Sequence, residues 1–272
     1  MNILICCIAK NENKYIREWV EWYEKIGVTN ICLFDNNDKN GESFSDVIGD
    51  YIESGFVIIK DVRGESKMQI PCYQTCYDEY NKKYDWIGFF DADEFLEIEE
   101  GTIEDFLSKD IYKNSEGIRV CWKNYDDNDL IKVEGDNYSV KRFTRVLDEN
   151  STENKISKII LKGGLSNIKF YPNHGGEHGI LIKCKVVDCY GRPHNNLSFL
   201  LSQRIWANAW LNHYRFKTLE EFVTIKIKRG YPNMDEKLCK KMLNFDTFWG
   251  YNKKTKDKEE YLLTLIDNKS EI

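Results

Sequence analysis

The stretch Asp85-Trp86-Ile87-Gly88-Phe89-Phe90-Asp91-Ala92-Asp93-Glu94 decides the fold. Its apolar half has the length and make-up of a strand buried on both faces, and its end carries three carboxylates. Runs of the same kind precede it at Asn2 to Ala9, Asn30 to Asp35 and Phe56 to Lys60. Between them apolar residues recur at helical spacing. Ile16, Trp19, Val20 and Tyr23 mark a helix that Gly27 ends. Phe44, Val47, Ile48 and Tyr51 mark a second, which Ser43 can cap and Gly55 closes. Ile70, Tyr73, Tyr77 and Tyr80 mark a third. Alternating strand and helix predict an α/β fold with a doubly wound, mostly parallel sheet.

Ligands of such sheets lie beyond the carboxyl ends of the strands. Four segments qualify: Lys10-Asn11-Glu12, Asp35 to Asp38, Asp61 to Lys67, and Asp91 to Glu94. Downstream, Gly117 to Trp122, Tyr138 to Leu147, Lys155 to Leu161 and Ile180 to Asp188 read as strands, expected as antiparallel additions. The last third reads as helical. Thr218 and Glu221 form a capping box, and further helices are expected over Met234 to Leu243 and Lys258 to Ile266.

The chain has 272 residues, 42% hydrophobic and 31% charged, with 17 Gly and 4 Pro, which excludes collagen-like and disordered classes. No run approaches the roughly 20 apolar residues of a membrane span. Ile3 to Ala9 is too short for a signal peptide and lacks a basic lead-in. A net charge of −6 argues against a nucleic-acid partner. The nine cysteines contain no C-x-x-C pair and read as reduced core thiols of a cytoplasmic protein. The segment Lys253 to Leu265 reads as a terminal helix packed on the body. The alternative is a basic amphipathic helix in peripheral contact with the inner membrane face.

If the chain is extended at Asp91-Ala92-Asp93, residues i and i+2 face the same ligand, and their oxygens suit Mg²⁺ or Mn²⁺ bridging to a diphosphate. The turn after the first strand has neither G-x-G-x-x-G nor a P-loop, so glycine backbone does not cradle the phosphates and a metal has to carry their charge. Asp35 can accept from a base or ribose; Arg63 and Lys67 can meet phosphate or sugar. Ala9, Asn11 and Glu12 line the expected nucleotide pocket beside Asp91 and Ala92. His213 is the favoured third metal ligand, with His174 in a Gly-rich loop as competitor. A general base for an acceptor hydroxyl is sought first at Asp126 or Asp127, then at Glu177 or Asp188. Trp122, Tyr125, Trp206, Trp210, Trp249 and Tyr251 include candidates for stacking on sugar.

In order along the chain, Lys10-Asn11-Glu12 with Tyr15-Ile16 and Glu18-Trp19, Ile26-Gly27-Val28 before Phe34-Asp35-Asn36, Trp86-Ile87 with Asp91-Ala92-Asp93-Glu94-Phe95, His213-Tyr214 with Lys217 to Phe222, and Lys228-Arg229-Gly230 resemble a bacterial GT-A-fold glycosyltransferase of the family 2-like group related to family 92. The resemblance covers about residues 1–100 and 155–230. It implies transfer of a sugar, expected to be inverting, from a nucleotide-diphosphate donor such as a UDP-sugar to a glycan or lipid-linked acceptor. It also implies a divalent metal at Asp91 and Asp93, and it places His213 in a family motif. On this reading residues 1–115 form the nucleotide-sugar half, 116–215 the acceptor half and 216–272 the C-terminal helices. A nucleotidyltransferase and a non-catalytic nucleotide- or sugar-binding protein are the alternatives.

Overall fold

The computed structural model describes all residues except 134–137, 173–177, 181–183, 195–197, 231–235 and 268–272. The first half alternates as expected: β1 (Ile3–Ala9), α1 (Asn13–Lys25), β2 (Asn30–Asp35), α2 (Ser45–Glu53), β3 (Val57–Asp61), α3 (Gln69–Tyr80) and β4 (Trp86–Phe89). The strands pair in the parallel order β3-β2-β1-β4. Along β1, Ile3, Ile5 and Cys7 face the core under α1 and α2, whereas Leu4, Cys6 and Ile8 face the one under α3. That two-sided burial is why the strand shows no polar alternation.

The sheet then continues through additions. β5 (Glu94–Ile98), α4 (Ile103–Leu107), β6 (Gly117–Asn124), α5 (Ser139–Arg142) and β7 (Ser157–Lys162) are followed by a separate hairpin of β8 (Phe170–Pro172) and β9 (His178–Ile180), then β10 (Val186–Asp188) and β11 (Ala209–His213). β7 lies antiparallel between β4 and β6. β10 and β11 pair parallel with β6, and β5 runs antiparallel to β11 at the edge. The result is the expected α/β architecture, a mostly parallel sheet with antiparallel additions and a helical C-terminal segment. Because β6 and β11 run in the direction of β1 to β4, His213 ends at the same sheet edge as Ala9, Asp35 and Phe89.

The C-terminal segment comprises α6 (Leu219–Glu221), a π-helical turn (Phe222–Lys226), α7 (Ile227–Arg229), α8 (Glu236–Met242), α9 (Phe245–Tyr251) and α10 (Lys256–Asp267). Phe216, Leu219, Phe222, Val223, Leu243 and Phe248 form a satellite core against which Tyr261, Leu262 and Leu265 pack. The last helix thus lies on the body, as the first of the two readings expects. Among the described residues no helix is long and apolar enough to cross a membrane. Seven of the nine cysteines are buried.

Three local expectations are corrected. Ser43 does not cap α2: the cap position is Phe44, with no side-chain hydrogen bond. Tyr138 to Leu147 is not a strand, because the Glu18 carboxylate accepts from the amides of Ser139 (2.7 Å) and Val140 (2.9 Å) and starts the helical turn α5. Ile180 to Asp188 is not one strand: Ile180 belongs to β9 and, among the described residues of the segment, Val186–Asp188 joins the main sheet. Strands β5, β8 and β11 go unread in the sequence; β5 starts directly out of the acidic turn, and β11 lies in the third read as helical.

Candidate functional site

Three strand ends are stapled together by two asparagines. The Asn37 side-chain oxygen accepts from Asn11 N (2.7 Å) and thereby holds the left-handed turn at Asn11 (φ 54°), a conformation asparagine tolerates. Asn36 Nδ2 donates to the carbonyls of Val62 and Glu65, both at 2.9 Å. Asp35 closes the same turn: its carboxylate accepts from Asn37 N (3.0 Å) and Phe44 N (3.4 Å). Ala9 lies buried below, its carbonyl accepting from Asn36 N.

The acidic segment is a turn, not an extended stretch, since Glu94 N donates to Asp91 O (3.0 Å). Its carboxylates take different partners within the chain. Asp91 accepts from Lys158 Nζ (2.7 Å), Gln69 Nε2 and Tyr73 Oη (both 3.2 Å). Asp93 is buried beside Lys226 Nζ (3.2 Å) and His213 Nε2 (3.7 Å), with Arg229 at 4.0 Å. Burial opposes ionisation of Asp93, but Lys226 and the neighbouring cations hold its carboxyl well below the ordinary value. Ala92 is buried between the two. Glu94 is fully buried; it accepts from Trp122 Nε1 (2.7 Å) and Asp91 N (3.0 Å). Burial pushes it up to about 8 against the pull of Lys158, 3.3 Å away.

Strand pairing delivers the imidazole. His213 is the register partner of Glu94, and Tyr214 N donates to Asp93 O (3.0 Å). The His213 ring centre lies 4.2 Å from that of Trp122 at a tilt of 35°, and burial pushes the imidazole down to about 3, so the ring is neutral at pH 7. Nδ1 lies 2.8 Å from Asn124 Oδ1, an acceptor, which makes Nδ1 the protonated nitrogen and leaves the Nε2 lone pair facing Asp93.

A cationic wall completes the site. Glu12 does not use its side chain to cap α1. It receives Lys217 Nζ (2.8 Å) and Arg229, which hold it below its ordinary value despite the opposing cost of burial. Glu12, Asp93, Arg215, Lys217, Lys226 and Arg229 line a small pocket with room for about one water.

The model of glycosyltransferase family 92 matches residues 3–174, more than half of the chain. The chain belongs to glycosyltransferase family 92. A family 92 protein of Ricinus communis is 30% identical over 97 residues, 36% of this chain and 17% of that protein. One of Oryza sativa subsp. japonica is 26% identical over 107 residues, 39% of this chain and 18% of that protein. The structure of S. aureus TarS 1–349 in complex with UDP aligns with a TM-score of 0.39 and 13% identity, covering 60% of this chain and 47% of that one. The chain thus spans less than a fifth of those plant relatives.

In this family 92 chain the remaining candidates lie apart from the pocket. Asp127 is fully buried on Lys258 Nζ (2.6 Å), so it meets no acceptor hydroxyl, which corrects its reading as general base. Asp126 pairs with Arg145 (2.5 Å) and caps its own turn through Asn128 N. Asp188 is tied to Arg192. Arg63 pairs with Asp61 beyond β3, and Lys67 is exposed in a left-handed conformation (φ 57°). His174 and Glu177 lie outside the described residues. Among the described residues no group of three or more His, Cys, Asp or Glu is placed to hold a metal ion; His213 and Asp93 are a pair. Sequence reasoning missed Lys158 and Lys226. Lys226 had a signal, because it stands three residues before Arg229 on a capped helix. Lys158 reads only as one polar residue in an apolar strand.

Proposed function

We propose that this chain transfers a sugar from a nucleotide-diphosphate donor, such as a UDP-sugar, with a divalent ion held by Asp93 and His213. The observation that carries the reading is the pair itself, at the carboxyl edge of the sheet in a family 92 chain. It offers a buried carboxylate and, 3.7 Å away, a neutral imidazole whose Nδ1 proton is committed to Asn124. Carboxylate with neutral imidazole suits Mn²⁺ or Mg²⁺, and donor diphosphate oxygens and water are the natural source of the remaining ligands. When bound, such an ion neutralises charge on the departing diphosphate. Asp91 stays engaged by Lys158 and shapes the donor side of the turn. Asp35, Asn36 and Asn37 pin the loops over which the nucleotide would lie.

The test is a screen of nucleotide sugars for hydrolysis or transfer with Mn²⁺, Mg²⁺ or EDTA. His213→Ala is expected to raise the Mn²⁺ needed for half-maximal turnover about tenfold or more, with the folded spectrum kept. Asp93→Ala is expected to abolish turnover. Full activity of the wild type in EDTA would overturn the metal reading. Failure of every nucleotide sugar would overturn the transferase reading.

A further inference from the structure

The strand β6 carries a charge that the site above does not use. Arg119 stands between Ile118 and Val120, which point into the core under α1 and α2. Strand alternation turns Arg119 to the other face of the sheet, the face of the buried Ile159 on β7 and Val186 on β10. Arg119 is 1% exposed. Burial pushes its guanidinium down to about 10, so it is still charged at pH 7.

The fold leaves that charge open. Nη1 reaches the Ser157 carbonyl at 3.5 Å. Among the described residues neither Nε nor Nη2 meets an acceptor. Asp188, the register partner of Arg119 on β10, is turned to Arg192 Nε (2.8 Å) and to the amides of Tyr190 and Arg192. Cys184 and His194 are near enough to sense the Arg119 charge, but neither opposes it. Burial pushes the Cys184 thiol up to about 11 and the His194 imidazole down. A bare ion in the interior is costly, and arginine does not escape the cost by losing its proton at neutral pH. Moreover, Nε and Nη2 are the two donors on one edge of the guanidinium, the edge that grips two oxygens of a single partner.

We propose that Arg119 anchors a carboxylate-binding site within the antiparallel additions, with Nε and Nη2 each donating to one oxygen. A carboxylate suits this place better than a phosphate. Its single charge matches that of the guanidinium and both of its oxygens are used, whereas the further oxygens of a phosphate would face Ile159 and Val186. The half-buried Cys184 and His194 form the side from which the ligand enters. The place is separate from the proposed metal site: Asn124, which holds His213, lies five residues further along β6, about 16 Å at the rise of a strand. The carboxylate site therefore does not depend on the transferase reading. A free small acid and the uronic-acid unit of a glycan both offer the required group.

The test follows the Arg119 Nε–H signal of the full chain by ¹H–¹⁵N NMR, assigned as the signal missing from Arg119→Lys. Acetate and glucuronate are titrated beside chloride and phosphate at constant ionic strength. Acetate is expected to move the signal saturably, and chloride and phosphate to bind at least about tenfold more weakly. In thermal unfolding, acetate at about five times its Kd is expected to raise the Tm by about 2–4 °C over the chloride control. Arg119→Met and Arg119→Lys are expected to remove that rise. Without acetate, Arg119→Met is expected to unfold at or above the wild-type temperature, because it removes a bare charge. If Arg119→Met does not fold, Arg119→Lys, which keeps the charge and loses the fork, carries the comparison. Binding of glucuronate as well as acetate assigns the site to a sugar acid, and binding of acetate alone to a small free acid. A signal that neither carboxylate moves, an equal response to chloride or phosphate, or a Tm rise kept by the folded variants overturns the site.

Discussion

Glu94 shows how one residue links the acidic turn to the core. Its ordinary value of 4.5 rises to about 8 on folding because burial outweighs Lys158. The folded chain therefore holds this proton more tightly than the unfolded chain does. Its contribution to stability is full below about pH 4.5 and is lost as pH climbs through about 8. Over that window stability is expected to fall by up to about 1.4 kcal/mol per pH unit from this group. Urea unfolding of Glu94→Gln in EDTA should show a flatter pH profile than wild type; an identical slope would show that Glu94 is ionised throughout. In the sequence Glu94 is one acid of a D-A-D-E string, and only its neighbours tell it from Asp93. Asp93 meets Lys226 and Arg229, whereas Glu94 meets Trp122 and the sheet interior. Those neighbours are more than a hundred positions away for Asp93 and 28 for Glu94, so local pattern does not separate the two.

At the scale of elements, local chemistry was legible where it was self-contained. The Thr218–Glu221 box is formed as the spacing requires, both of its hydrogen bonds joining residues three apart. The Tyr138 to Leu147 segment was misread because its helical turn is started by a carboxylate on α1. The loop after β6 was misread for a similar reason. Asp127 and Lys258 are each fully enclosed and lie 2.6 Å apart, and they tie that loop to α10. Removing one partner strands the other charge in the interior. Asp127→Leu and Lys258→Met are each expected to cost about 3–5 kcal/mol in urea unfolding, and the double variant Asp127→Leu/Lys258→Met much less than their sum. Additive losses would show that the pair is not coupled.

Across the whole molecule the decisive junction is where the parallel half meets its additions. β7 inserts antiparallel between β4 and β6, and Gly163 at its end packs against the chain after α3. A Cβ there would lie 1.9 Å from Tyr84 O and 2.5 Å from Asn81 O, both backbone atoms that cannot step aside. Gly163→Ala is expected to destabilise the protein by about 3 kcal/mol, measured by chemical denaturation. A loss below about 0.5 kcal/mol would show that the junction yields. By itself the sequence determined the alternating α/β half, the sheet edge that holds the site, and Asp91, Asp93 and His213 as residues of interest. The α/β half, the sheet edge, Asp91 and Asp93 follow from apolar periodicity and strand-end position, which are local; His213 follows from its place after an apolar stretch and from the family resemblance. The tertiary structure alone decided that Asp93 and not Asp91 meets His213, that Asp127 is a structural ion pair, and that Lys158 and Lys226 pair with Asp91 and Asp93. These depend on β11 pairing with β5 and on the return of the C-terminal helix to β1. Such contacts join residues 67 to 217 positions apart, and their partners are selected by packing and charge neutralisation in the folded interior.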